Sequence, residues 1–83
     1  MEYYSVARGN LPPELAKLRR DERTEAILAA GLGIMDTEIA MRYYVDRLPH
    51  ADIGAIVGRD RSVVGRRINK MEGRIISAIN LPH

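Results

Sequence analysis

The sequence contains no cysteine, tryptophan or phenylalanine, and its four tyrosines are its only large aromatic side chains. Without cysteine the chain can form neither a disulfide nor a thiolate metal site. Its two histidines, His50 and His83, cannot hold a metal ion without carboxylate ligands. We therefore expect no metal and no cofactor. The core has to consist mainly of isoleucine, leucine, valine, methionine and alanine.

Long apolar segments are also missing, since no run is long enough to span a bilayer. The first five residues, Met-Glu-Tyr-Tyr-Ser, lack the basic and apolar regions of a signal peptide. We therefore expect a cytoplasmic protein with no membrane partner. The length of 83 residues predicts a single domain over residues 1–83.

The positive charge is concentrated in one segment. Residues 59–74 contain six basic and two acidic side chains, a net charge of +4. The whole chain has 13 basic and 11 acidic groups, so the remaining residues contain seven and nine, a net charge of −2. Such an asymmetry is typical of a surface that binds a polyanion, although a solvated basic helix would have the same composition.

The first part of the chain has a helical pattern, and we interpret residues 1–35 as an N-terminal helical support. Pro12 and Pro13 can open a helix, and Gly31 and Gly33 can end one. The charged run 17–25 leaves two possibilities: one long helix, or two short helices that restart near Asp21. Its charges are expected to form a solvated face with local ion pairs.

Apolar residues at helical spacing continue through residues 36–74. Asp36 is the expected N-cap of the next helix, followed by a short helix from Asp52 to Val57 and a long one after Asp60. Gly73 is expected to break the long helix, which would leave residues 75–83 as an apolar C-terminal tail. No strand-like alternation is present. The sequence thus predicts an all-α bundle of four to five helices.

The run from Ala51 to Lys70 has the pattern of a helix-turn-helix. Gly54 is a small residue where the second helix would cross the first, and Gly58 can take a positive φ in the turn. Asp60 can cap the second helix. Four apolar residues would close the corner between the helices: Ile53, Val57, Val64 and Ile68.

This pattern predicts that the second helix presents its N-terminal half to double-stranded DNA. Arginine can bind guanine through two hydrogen bonds and asparagine can bind adenine, whereas serine and lysine more often contact phosphate. Glycine within a helix either permits close approach to DNA or is simply tolerated. The predicted DNA-binding residues are Arg59, Arg61, Ser62, Gly65, Arg66, Arg67, Asn69 and Lys70.

These residues resemble region four of bacterial sigma factors and the related sigma-like regulators of phages and mobile elements. The resemblance covers about residues 36–72 and lies in Arg42-Tyr43-Tyr44, Leu48, Ile53-Gly54, Val57-Gly58, Arg61-Ser62-Val63-Val64 and Arg67-Ile68. It implies that Arg61, Ser62, Arg66 and Arg67 face DNA. The chain departs from the family in having Gly54 where alanine is usual, and in a connection before Asp52 that is one residue longer. The other sigma regions are missing, so we do not expect a complete initiation factor.

The functional expectation is therefore a sequence-specific DNA-binding protein, a bacterial or phage transcriptional regulator. A module of this size offers little contact area, so a homodimer or a partner such as RNA polymerase is expected. The alternative is a protein-interaction module that uses the same fold to bind a polymerase subunit or a phage-defence component. No acidic residue has a spacing with histidine or serine that indicates acid–base or nucleophilic chemistry, so we expect no enzyme.

Overall fold

Five helices follow one another along residues 11–79, the part of the chain that the computed structural model describes. They are α1 (Pro13–Ala16), α2 (Arg20–Ala29), α3 (Ile34–Ala40), α4 (His50–Val57) and α5 (Arg61–Ile79). No strand occurs among these residues. The all-α expectation is confirmed. Residues 1–10 and 80–83, which include the end of the expected tail, lie outside the described residues.

The charged run 17–25 spans a break between two helices, so the chain forms two short helices here and not one long helix: residues 17–19 connect α1 to α2, and residues 20–25 lie in α2. Pro12 precedes α1 and Pro13 is its first residue. The next helix begins at Arg20, and the Arg19 backbone N–H donates to the Glu22 carboxylate at 2.9 Å. One residue of the run also makes hydrogen bonds beyond local ion pairs. The Arg23 guanidinium donates to the carbonyl oxygens of Leu15 and Leu18. Arg23 therefore ties α2 to the end of α1.

Asp36 is not the N-cap of α3, and that prediction is wrong. The N-cap is Gly33, three residues earlier, because Gly33 has a φ of 93° and turns the chain directly into Ile34. Asp36 lies within the first turn, and its carboxylate accepts a hydrogen bond from Arg67 at 2.7 Å. The residue expected to start a helix instead connects α3 to α5.

The expected break at Gly73 is also absent, since α5 is continuous from Arg61 to Ile79. A Cβ at Gly73 would meet nothing within 4 Å, so this glycine marks no close approach. The helix continues because its buried stripe extends past Gly73 through Ile75 and Ala78. Packing of this stripe outweighs the low helix propensity of one glycine.

A wider π turn, Met41–Val45, continues α3, and no pattern in the sequence indicated it. The Asp46 backbone N–H donates to the Met41 carbonyl at 3.0 Å, five residues back. Tyr44 and Val45 in this turn are both buried. The largest fully buried side chains come from all five helices and form one core: Tyr44, Leu15, Ile27, Ile39, Ile53, Ile75 and Val64.

The Tyr44 hydroxyl donates to Glu72 Oε1 at 2.5 Å and links the π turn to α5. Burial, together with this hydrogen bond to the Glu72 carboxylate, raises the pKa of Tyr44 above its usual 10.0. The neutral phenol is therefore favoured in the folded protein, and its contribution to stability is complete below the pKa of the unfolded chain. It is lost as the pH rises above that value.

We expect the free energy of unfolding to fall between pH 10 and 11 by about 1 kcal/mol more in the native protein than in Tyr44→Phe, which has no hydroxyl to ionise. At pH 8 the variant is expected to be about 1 kcal/mol less stable, because the hydrogen bond is lost. Chemical denaturation at the three pH values measures both. Equal losses above pH 10 in the two proteins would contradict the assignment.

Candidate nucleic-acid interface

The corner between α4 and α5 is a three-residue turn, residues 58–60, with a left-handed residue at its start. Gly58 has a φ of 73°, as the sequence predicts, and ends α4. The Arg59 backbone N–H donates to the Gly54 carbonyl at 3.0 Å. A Cβ at Gly54 would collide with the carbonyl oxygen of Arg59. The small residue is thus needed for the turn that folds back on α4, rather than for the body of the second helix.

Asp60 holds the start of α5, as expected for a cap. Its carboxylate accepts from the Ser62 backbone N–H at 3.0 Å and from the Ser62 hydroxyl at 2.5 Å. These two hydrogen bonds, with a smaller contribution from Arg61 and Arg66, lower the pKa of the Asp60 carboxyl. The first turn of α5 is therefore fixed in direction, and the Ser62 hydroxyl already has an acceptor.

A groove of about 670 Å³ lies between the start of α4 and the first turns of α5. Tyr43 and the first residues of α4 form one wall. The centroids of the Tyr43 and His50 rings are 5.2 Å apart. The residues that line the groove are Tyr43, Pro49, His50, Ala51, Arg61, Ser62, Gly65, Arg66 and Asn69.

The groove contains five of the eight predicted DNA-binding residues. Each of Arg61, Ser62, Gly65, Arg66 and Asn69 lies three or four residues from another member of this set along α5, so they share one helical face. Tyr43 and His50 line the groove from the π turn and from the start of α4. Nothing in the sequence indicated that both line this groove, because only the fold brings α3 and α4 beside α5.

Gly65 has a structural reason that the sequence did not reveal. A Cβ at this position would lie 3.3 Å from His50 Nδ1, which is closer than an ordinary contact. The absence of a side chain thus lets the His50 ring lie directly against α5. For the same reason, no side chain of residue 65 fills the groove at this position.

The other three predicted residues lie elsewhere. Arg59 is in the turn, where its guanidinium donates to the Gly58 carbonyl at 3.1 Å. Arg67 and Lys70 lie on the adjacent face of α5, beside Asp36. The Arg67 guanidinium is bound to the Asp36 carboxylate, and both side chains are partly buried. Arg67 thus has a structural role between α3 and α5.

Among residues 11–79, three cationic side chains on this part of α5 form no close ion pair with a carboxylate. Arg61, Arg66 and Lys70 are exposed and form no ion pair among residues 11–79, whereas four other arginines each pair with a carboxylate: Arg19, Arg20, Arg42 and Arg67. Two unpaired guanidinium groups at one groove can bind phosphate oxygens or the acceptor edge of guanine.

No family model, no curated protein and no solved structure matches this chain. Its function therefore has to be inferred from the groove itself. Within residues 11–79 no three histidine or acidic side chains are grouped so that they could hold a metal ion. No helix in that range has both the length and the apolar character that crossing a membrane requires.

Proposed function

We propose that the chain binds double-stranded DNA in a sequence-specific manner, with the groove face of α5 entering the major groove. The observation that carries this proposal is the pair of unpaired, exposed guanidinium groups of Arg61 and Arg66 on one helical face with Asn69. This face belongs to the first three turns of a helix that follows a tight corner. Recognition helices place base-reading residues at that end.

The residue types on this face suggest distinct roles. Arg61 and Arg66 would each donate two hydrogen bonds to guanine, and Asn69 would pair with adenine. Lys70 and Arg59 would contact phosphates and fix the position of the helix. Ser62 is left out of the phosphate contacts, because its hydroxyl donates to Asp60. Gly65 offers no side chain between the helix and the bases. Arg67 is left out of the contact set, because its guanidinium is bound to Asp36.

Regulation of transcription in the cytoplasm of a bacterial or phage-infected cell is the process that this proposal favours. Its support is the resemblance of residues 36–72 to sigma region four. If the chain is instead a protein-interaction module, binding of its protein partner should survive the loss of Arg61 and Arg66.

Selection of bound fragments from a random duplex pool tests the proposal. We expect a recurrent short motif that contains guanine and adenine. In Arg66→Ala the preference at one guanine is expected to weaken by about 1–3 kcal/mol, whereas Lys70→Ala is expected to weaken binding to all sequences about equally. A pool that yields no enriched motif with the native protein would refute sequence-specific binding.

A further inference from the structure

A second surface, formed by α2 and α5, has charges of opposite sign at its two ends. It consists of two adjoining shallow depressions of about 530 and 310 Å³ that share Ala29 and Ala78. Lys70 and Arg74 line the first, and Glu22 and Glu25 line the second. We call this the α2/α5 surface. It is separate from the groove that contains Arg61 and Arg66.

The middle of the α2/α5 surface is low and free of long side chains. Ala29, Gly73 and Ser77 are exposed there, and Ala78 forms part of the floor. Small residues let another helix approach closely.

The charged side chains at the two ends remain available for a partner. Glu25 and Lys70 are exposed, and neither forms a hydrogen bond or an ion pair within residues 11–79. Arg74 donates to the carbonyl oxygens of Ala30 and Gly31, which holds its guanidinium at the edge of the surface. Glu22 at the acidic end is ion-paired with Arg19, so Glu25 and Lys70 are the groups that a partner can pair with at the two ends.

We propose that the partner of the α2/α5 surface is a second copy of this chain, related by a two-fold axis near Ala29 and Ala78. A two-fold operation exchanges the ends of the surface, so the acidic end of each copy meets the basic end of the other. Glu25 then faces Lys70 and Arg74 of the second copy, and the pairing occurs twice. The small residues of the two copies meet at the axis.

The small size of the α2/α5 surface predicts a weak dimer. From Glu22 to Ala30 it follows little more than two turns of α2, about 12 Å. Stable dimers bury about 800 Å² on each partner, and smaller surfaces form transient pairs. The dimer is thus expected to dissociate in the micromolar range or above. This inference does not rest on the proposed DNA binding.

Two charge-reversed variants test the dimer, with sedimentation equilibrium of the whole chain in the absence of DNA. Glu25→Lys alone and Lys70→Glu alone each place like charges at both pairs, so each is expected to raise the dimer dissociation constant at least about tenfold. An equimolar mixture of the two variants restores both pairs in the heterodimer. Its dissociation constant is expected to return to within about threefold of the native value.

Both side chains are exposed, and circular dichroism checks that each variant remains helical. If a reversed variant unfolds, Glu25→Gln and Lys70→Gln replace the pair, and each is expected to weaken the dimer. A native protein that stays monomeric up to about 1 mM, or a mixture as weak as the single variants, would overturn the proposal. Neither result bears on DNA binding, which is measured separately.

Discussion

The double variant Arg61→Ala/Arg66→Ala is expected to lose about 2–6 kcal/mol of binding free energy for its DNA site, a loss of at least about 30-fold in affinity. Both guanidinium groups line the groove and are free of ion pairs within the described range, so no other contact in the fold depends on them. Fluorescence anisotropy with a selected duplex measures the loss.

A matched control removes the same charge from another surface. Lys17→Ala/Arg19→Ala also deletes two cations, but these lie at the connection between α1 and α2. Within residues 11–79, the only ion pairs of Arg19 are exposed ones with Asp21 and Glu22. The control is expected to change the affinity less than about twofold at the same salt concentration. An equal loss in both double variants would mean that net charge alone, rather than the groove, binds DNA.

Gly54→Ala is expected to destabilise the protein by about 3 kcal/mol, because the new methyl group would collide with the backbone carbonyl of Arg59. A backbone atom in a three-residue turn cannot move aside as the end of a flexible side chain can. The corner that positions α5 would have to open. A loss of this size is a large part of the total stability of a domain of this length.

Gly73→Ala is the matched control for that substitution. This glycine also lies within a helix, but a Cβ there would meet nothing within 4 Å. Alanine is therefore expected to stabilise the protein by about 1 kcal/mol, through helix propensity alone. Thermal and urea denaturation of the two variants measures both changes. A Gly54→Ala protein as stable as Gly73→Ala would contradict the role given to the corner.

The α4–α5 corner could be predicted from the sequence because its determinants are local. Gly58 takes the positive φ, and Asp60 caps the helix that follows. Gly54 contacts a residue only five positions away. Each of these requirements involves residues within one or two turns, so the order of residue types is enough to identify them.

The interactions that the sequence did not reveal connect residues far apart in the chain. Asp36 was predicted to be a cap because it precedes an apolar stripe, yet it binds Arg67, 31 positions later. Tyr44 and Glu72 are 28 positions apart. Which side chains meet across helices depends on how the helices pack, and no local pattern specifies that.

The candidate site also has one part that the sequence predicts and one part that it does not. The face of α5 with Arg61, Arg66 and Asn69 follows from helical periodicity alone. The opposite wall does not, because Tyr43 comes from the π turn after α3, and His50 from the start of α4. Arg67 is left out of the proposed DNA contacts because helix packing places its guanidinium against Asp36, which the sequence did not indicate either.

The salt dependence of duplex binding by the native protein tests the central claim most directly. If Arg59 and Lys70 neutralise DNA phosphates and release counterions, log Kd should rise linearly with log salt concentration, with a slope of about 2. Lys70→Ala, which removes one of these phosphate contacts, should lower the slope by about 1. No detectable binding to any duplex at about 50 mM salt, or an affinity that does not change with salt, would contradict the account.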